Sequence, residues 1–197
     1  MYSYFENGSW QTETVAIDSP ASDRTALVID QLGNLHAIYS NIDHILYAVR
    51  HNGVWEEPAA IATCGWHDCG MALTIDGSDQ LHLTYSTDDT LWYATNESGT
   101  WEKTAVVENI KTYGHQDITV DKQHSIYISY RDGEQHNLHL ASNKNDTWET
   151  YIIDRRGDVG RANTVAIPNK HEGQIIYRDD GILTTLTDVW GCSANNV

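Results

Sequence analysis

Basic residues are scarce. Twelve Lys and Arg stand against 28 Asp and Glu, a formal net charge of −16. Such a surface repels nucleic acid and anionic membranes over about a Debye length, ~8 Å at physiological salt, so neither partner is expected. Long apolar runs are missing as well, and nothing approaches the ~18 consecutive apolar residues of a membrane-spanning helix. The opening MYSYFENGSW has neither the basic nor the apolar segment of a secretion signal. Three cysteines make a poor disulfide framework. A cytoplasmic protein is expected, or a secreted one if a leader has been removed. Proline is rare, with three residues, yet seven Trp and eleven Tyr argue for a folded chain rather than a disordered one.

What is abundant is repetition. NGSW10, NGVW55, SGTW101 and NDTW148 each place a Trp after a turn, at spacings of 45, 46 and 47. VID30, TID76, TVD121 and AIP168 recur at 46, 45 and 47, and so do Tyr39, Tyr85, Tyr130 and Tyr177. Three markers that drift together define a unit of about 46 residues. Inside it, LHAIYS, LHLTYS and IYISYR alternate with the period of a strand. Flanking runs and Gly-, Asn- and Asp-rich turns complete four short strands, a to d, and no helix is expected.

Four strands per repeat match one blade of a β-propeller. The fold class expected is all-β: a small propeller of four blades, four antiparallel strands each. Residues 1–187 form its single domain and 188–197 a tail. The chain opens with strands c and d, Tyr2–Phe5 and Trp10–Val15. It closes with a and b, Thr164–Ile167 and Gln174–Arg178. Pairing these ends would close the ring and remove exposed edges. Ile182–Thr187 competes as another strand c. The alternative is therefore part of a larger propeller, or a homo-oligomer completed by a second copy.

The turn before each Trp resembles the Asp-box turn of sialidase-type (BNR) propellers. Thr95, Glu97, Gly99 and Trp101 come nearest, one residue short, followed by Ser142 with Trp148. That resemblance implies a blade scaffold over nearly the whole chain. The six-bladed sialidases' catalytic set has no matching motif here.

On a propeller, connections d–a and b–c share the face where ligands usually sit. Arg24, Arg155, Arg156 and Arg161 fall at d–a connections, while Arg131 and Arg178 end strand b. Only Arg50 among the seven arginines lies elsewhere. Guanidinium groups suit planar, bidentate recognition of carboxylate, sulfate or phosphate, so these six are the candidate ligand-binding set. The competing reading pairs them with nearby Asp132, Asp154, Asp158, Asp179 and Asp180.

Departures from the repeat supply the catalytic candidates. His67, Asp68, His115 and Asp117 would gather across the second and third blades as an acid–base pair or metal ligands; loop polarity is the plainer reading. Cys64 and Cys69, in CGWHDCG, form a lone C-x4-C pair inside a d–a loop, a weak zinc signal. Neither metal nor cofactor is expected. The recurring Tyr and Trp are read as blade packing. His36, His82, Tyr127 and Gln174, at one repeat position, are read as polar contacts between blades.

The function expected is a binding protein that holds an acidic small molecule or glycan at an Arg-rich mouth. A glycoside hydrolase or polysaccharide lyase is one alternative, and a protein-interaction scaffold another. Fold alone does not choose among them.

Overall fold

A computed structural model describes residues 1–16, 24–63, 69–87, 89–169, 172–179 and 182–187, without the side chains of 169, 172 and 182–187. Its described residues are all-β, and every sheet is antiparallel. The chain divides into two compact units, Met1–Trp66 and His67–Val197.

The first unit begins with a two-stranded sheet, β1 (Tyr2–Glu6) and β2 (Ser9–Glu13). Asn7 and Gly8, at φ 50° and 81°, make the left-handed two-residue turn that Asn-Gly favours in hairpins. Then come β3 (Thr25–Ile29), β4 (Leu35–Ser40), β5 (His44–His51), β6 (Val54–Trp55) and β7 (Ala59–Thr63). Strands β6 and β7 both pair with β5. They are one outer strand interrupted before β7 by Pro58, which has no N–H to donate to a ladder. The two sheets of this unit are joined by an ion pair. Arg50 donates to Glu13 at 2.5 Å, and Trp55 Nε1 donates to the same carboxylate at 3.0 Å. Tyr2 meets Trp55 edge-on at 5.6 Å.

The second unit holds three sheets. One is built from β8 (Met71–Ile75), β9 (Leu81–Ser86), β10 (Thr90–Thr95) and β11 (Glu102–Glu108). The next is β12 (Gln116–Val120), β13 (Ile126–Arg131), β14 (Leu138–Ser142) and β15 (Glu149–Asp154). The last is β16 (Val159–Asn169), β17 (Glu172–Asp179) and β18 (Ile182–Thr187). β12 packs against β8 on one side and β16 on the other. One core lies between the first two sheets, with Leu91, Ile118, Ile128 and Tyr130; another, with Tyr127, Leu140, Val165 and Tyr177, lies between the last two.

Repetition extends to backbone detail. Asp30, Asp76 and Asp121 close the turn after the first strand of each repeat, each Oδ1 accepting two backbone N–H groups. A register shift recurs at Ile45/Leu46, Leu91/Trp92 and Leu138/His139.

Ring closure through the chain ends is corrected by the strand pairings. The edge of β17 that closure reserves for Tyr2–Phe5 is taken by β18, through Gln174↔Thr187 to Asp179↔Ile182. β1 pairs with β2 alone among the described residues. Ile182–Thr187 wins that edge because it follows β17 directly, and a short hairpin costs less loop-closure entropy than pairing across nearly the whole chain.

Candidate functional site

The heads of the first strands in successive sheets of the second unit are tied together. The carbonyl of Gly70 accepts from the Ser86 N–H and from Gln116 Nε2, at 3.0 and 2.8 Å. One repeat later the carbonyl of His115 accepts from the Arg131 N–H and from Asn163 Nδ2, both at 3.0 Å. Each amide side chain thus binds the strand head of the preceding sheet. The signal in the sequence was an amide at the same place in two repeats, Gln116 and Asn163, and it was missed. Sheets approach so closely here that a Cβ on Gly70 would collide with the backbone of Gly114.

Asp117 belongs to the same lacing. Its Oδ2 accepts from Thr164 Oγ1 at 2.6 Å and from the Val165 N–H at 2.9 Å. An oxygen so engaged joins two strands and is poorly placed to exchange protons with a ligand. His115 lies next to it, half-buried, with its backbone engaged. His67 and Asp68, the other two catalytic candidates, lie outside the described residues, as does Cys64. Cys69 is disulfide-bonded, so it offers no free thiolate to a metal. Among the described residues no group of three or more His, Cys, Asp or Glu could hold a metal ion.

The arginines divide into two arrangements. Arg156 forks onto Asp154, with Nε at 3.0 Å and Nη2 at 2.7 Å, and Tyr177 donates to the same carboxylate at 2.6 Å. Burial works against the charge of Asp154, but these hydrogen bonds hold it at about 2. Arg156 is thereby satisfied locally, as the competing reading requires.

The other arrangement surrounds Asp158. Arg131, at the end of β13, donates Nη2 to Asp158 Oδ1 at 2.6 Å. Arg161 Nη2 lies 3.0 Å from Asp158 Oδ2. His136 Nδ1 stands 4.0 Å from the same carboxylate, a neighbour that sequence reasoning missed. The hydrogen bond from Arg131 and then that from Arg161 pull Asp158 below the usual carboxylate range. Arg178 is directly opposite Arg161 in the β16–β17 ladder, so both side chains leave the same face of the sheet. It is exposed, and forms no ion pair among the described residues. Two guanidinium groups therefore bind one carboxylate, and a third, that of Arg178, stands across the ladder from one of them. Arg155 is exposed in the turn before β16, and Arg24, half-buried ahead of β3, has a partner of its own.

The recurring side chains are structural. Tyr39, Tyr85, Tyr130 and Tyr177 are all buried. The Trp series is less uniform: Trp55, Trp101 and Trp148 are half-buried, but Trp10 is 72% exposed on its two-stranded sheet, contrary to a blade-core role. His36 and His82 bind within their own sheets rather than between blades. Each Nδ1 is 2.7 Å from a tyrosine hydroxyl, of Tyr47 and Tyr93. The link to the neighbouring sheet comes instead from His124, whose Nδ1 is 2.8 Å from Asp76 Oδ2.

No family model matches the chain, and no curated protein does. Solved structures do. A mutant of the Aleuria aurantia lectin in complex with Fucalpha1-6GlcNAc has a TM-score of 0.68 at 14% identity, over 96% of this chain and 67% of that one. An ulvan lyase of a new polysaccharide lyase family has a TM-score of 0.62 at 9% identity, over 83% of this chain. A Hadza microbial sialidase has a TM-score of 0.57 at 13% identity, also over 83% of this chain. The chain spans 52% of the lyase's length and 43% of the sialidase's. These likenesses place the repeats in the β-propeller-type fold that the sheets and their period indicated. At such identities they speak to the fold alone.

Proposed function

We propose that this chain is a carbohydrate-binding protein, and that the cluster of Arg131, Arg161 and Arg178 holds an acidic sugar. One observation carries the reading: two arginines stand opposite each other on β16 and β17, and a single carboxylate, Asp158, is shared between Arg161 and Arg131. Like charges directly opposite in a ladder are destabilising unless an anion intervenes, and Asp158 balances only one of the three. Exposed Arg178 supplies the free donors, joined by the one nitrogen of exposed Arg161, Nη1, that does not face Asp158. Buried Arg131 orients Asp158, which in turn fixes Arg161.

The comparisons lend support in kind. The ulvan lyase is described bound to -[GlcA(1-4)Rha3S]-, an acidic saccharide, and the Aleuria lectin with a fucosylated one. The hydrolase or lyase alternative rests on residues of which Asp117 is committed to strand lacing, so binding is the better-supported role.

The test is a glycan array that carries uronate, sulfated and neutral saccharides, followed by titration of any hit. A charge-assisted hydrogen bond contributes about 1.5–3 kcal/mol, so Arg161→Ala and Arg178→Ala should each weaken acidic-glycan binding about 10- to 100-fold. Binding should also weaken as salt is raised. A wild-type chain that binds no acidic saccharide, or variants that bind as tightly as wild type, would overturn the reading.

A further inference from the structure

The first unit carries two adjoining clefts, of about 570 and 520 Å3, that share Tyr39 and Trp55 as a common wall. Both volumes fall within the ~300–1,000 Å3 of small-molecule sites. Tyr2 and Leu27 line the first cleft, between β1 and the β3–β4 pair; Asn41, Glu56 and Glu57 line the second.

Three features mark the wall as a site rather than a packing gap. The hydroxyl of Tyr39, a residue only 8% exposed, is buried and has no hydrogen-bond partner among the described residues. A buried polar group left unmet costs about 1–3 kcal/mol, which a ligand hydroxyl would recover. The indole of Trp55 is held in place by its Nε1 bond to Glu13 and by the edge of Tyr2, so its orientation is fixed before anything binds. Finally, the carboxylate of Glu57 lines the same cleft as Tyr39, and burial and then that charge push the Tyr39 hydroxyl above its usual pKa.

We infer that these clefts form a second saccharide site, for a neutral sugar. The aromatic surfaces of Trp55 and Tyr39, which line both clefts, suit the C–H face of a pyranose. The carboxylates of Glu56 and Glu57 and the amide of Asn41 suit its hydroxyls. Glu56 and Glu57 line the second cleft and repel an acidic sugar, so the ligand differs in class from that of the arginine cluster. The inference extends the glycan reading above to a separate place, and it can stand or fall independently.

The experiment titrates the 15N-labelled chain with methyl glycosides of neutral hexoses, 6-deoxyhexoses and N-acetylhexosamines, following the indole N–H resonance of Trp55. One class should shift it saturably. Tyr39→Phe removes an oxygen without a partner among the described residues, so it should leave the thermal midpoint at or above that of wild type while weakening that binding about tenfold. Glu57→Gln should weaken it as well, and Arg178→Ala should leave it unchanged. If no neutral glycoside moves the resonance, or both Tyr39→Phe and Glu57→Gln bind as wild type does, the inference is wrong. Acidic-glycan binding that persists in those circumstances leaves the arginine cluster standing.

Discussion

Replacing Arg131 with Met separates the structural arginine from the exposed one. The Arg131 side chain is 3% exposed, its Nη2 bonds Asp158 at 2.6 Å, and its Nε is buried without a partner among the described residues. Met keeps most of the stem's packing and strips the charge. Losing one charge-assisted hydrogen bond costs about 1.5–3 kcal/mol. A fully buried pair broken from one side costs more, about 3–5 kcal/mol. Asp158 is 36% exposed and regains water and keeps Arg161, so the lower range applies. Removing the unmet Nε returns about 1 kcal/mol, for a net loss of about 0.5–2 kcal/mol. For a unit of this size that lowers the melting temperature by about 2–8 °C. Arg178→Ala, at an exposed position, should stay within about 0.5 kcal/mol. Urea melts followed by circular dichroism and by Trp fluorescence measure both. An Arg131→Met chain that unfolds at the wild-type midpoint, beside an Arg178→Ala chain that does not, would refute the division of roles.

Other perturbations follow from the same geometry. Gly70→Ala should lower the melting point by several degrees, because the new methyl meets the Gly114 backbone; an unchanged midpoint would mean that the strand heads part easily. Burial pushes both His82 and His139 below the ordinary histidine pKa, although Asp76 partly opposes this at His82. The unfolded chain then takes up protons first, so stability should fall as pH drops below about 6.5. His139→Phe, which keeps a ring against Tyr130, should flatten that slope; equal slopes would contradict it. Below pH about 4 a further loss is expected, as Asp154 is protonated on the way to its folded value of about 2. Thiol titration of the denatured, unreduced chain should find one free thiol of three, since Cys69 is disulfide-bonded; three would contradict the bond.

The blade repeat was legible because burial imposes a period. Tyr39, Tyr85, Tyr130 and Tyr177 recur where every copy packs its sheet, and Asp30, Asp76 and Asp121 recur where every first turn needs an acceptor. Closure was not legible, since β18 and the N-terminal strand fit the same edge by pattern and only proximity along the chain separates them. The partners of the arginines were legible in part. That Arg156 would find Asp154 follows from their neighbouring positions. That Arg161 would face Arg178 depends on register shifts on either side of Arg161 in β16, which no alternation rule predicts. The roles of Gln116 and Asn163 were missed because their acceptors, 46 and 48 residues earlier, are main-chain carbonyls, invisible to side-chain pattern.

The most direct test observes the guanidinium groups themselves. Titration of the 15N-labelled chain with glucuronate, following arginine Nε–H resonances, should shift Arg161 and Arg178 saturably. Arg156, locked on Asp154, should stay still. Resonances that do not move, or that all move alike without saturating, would contradict an acidic-sugar site at this cluster.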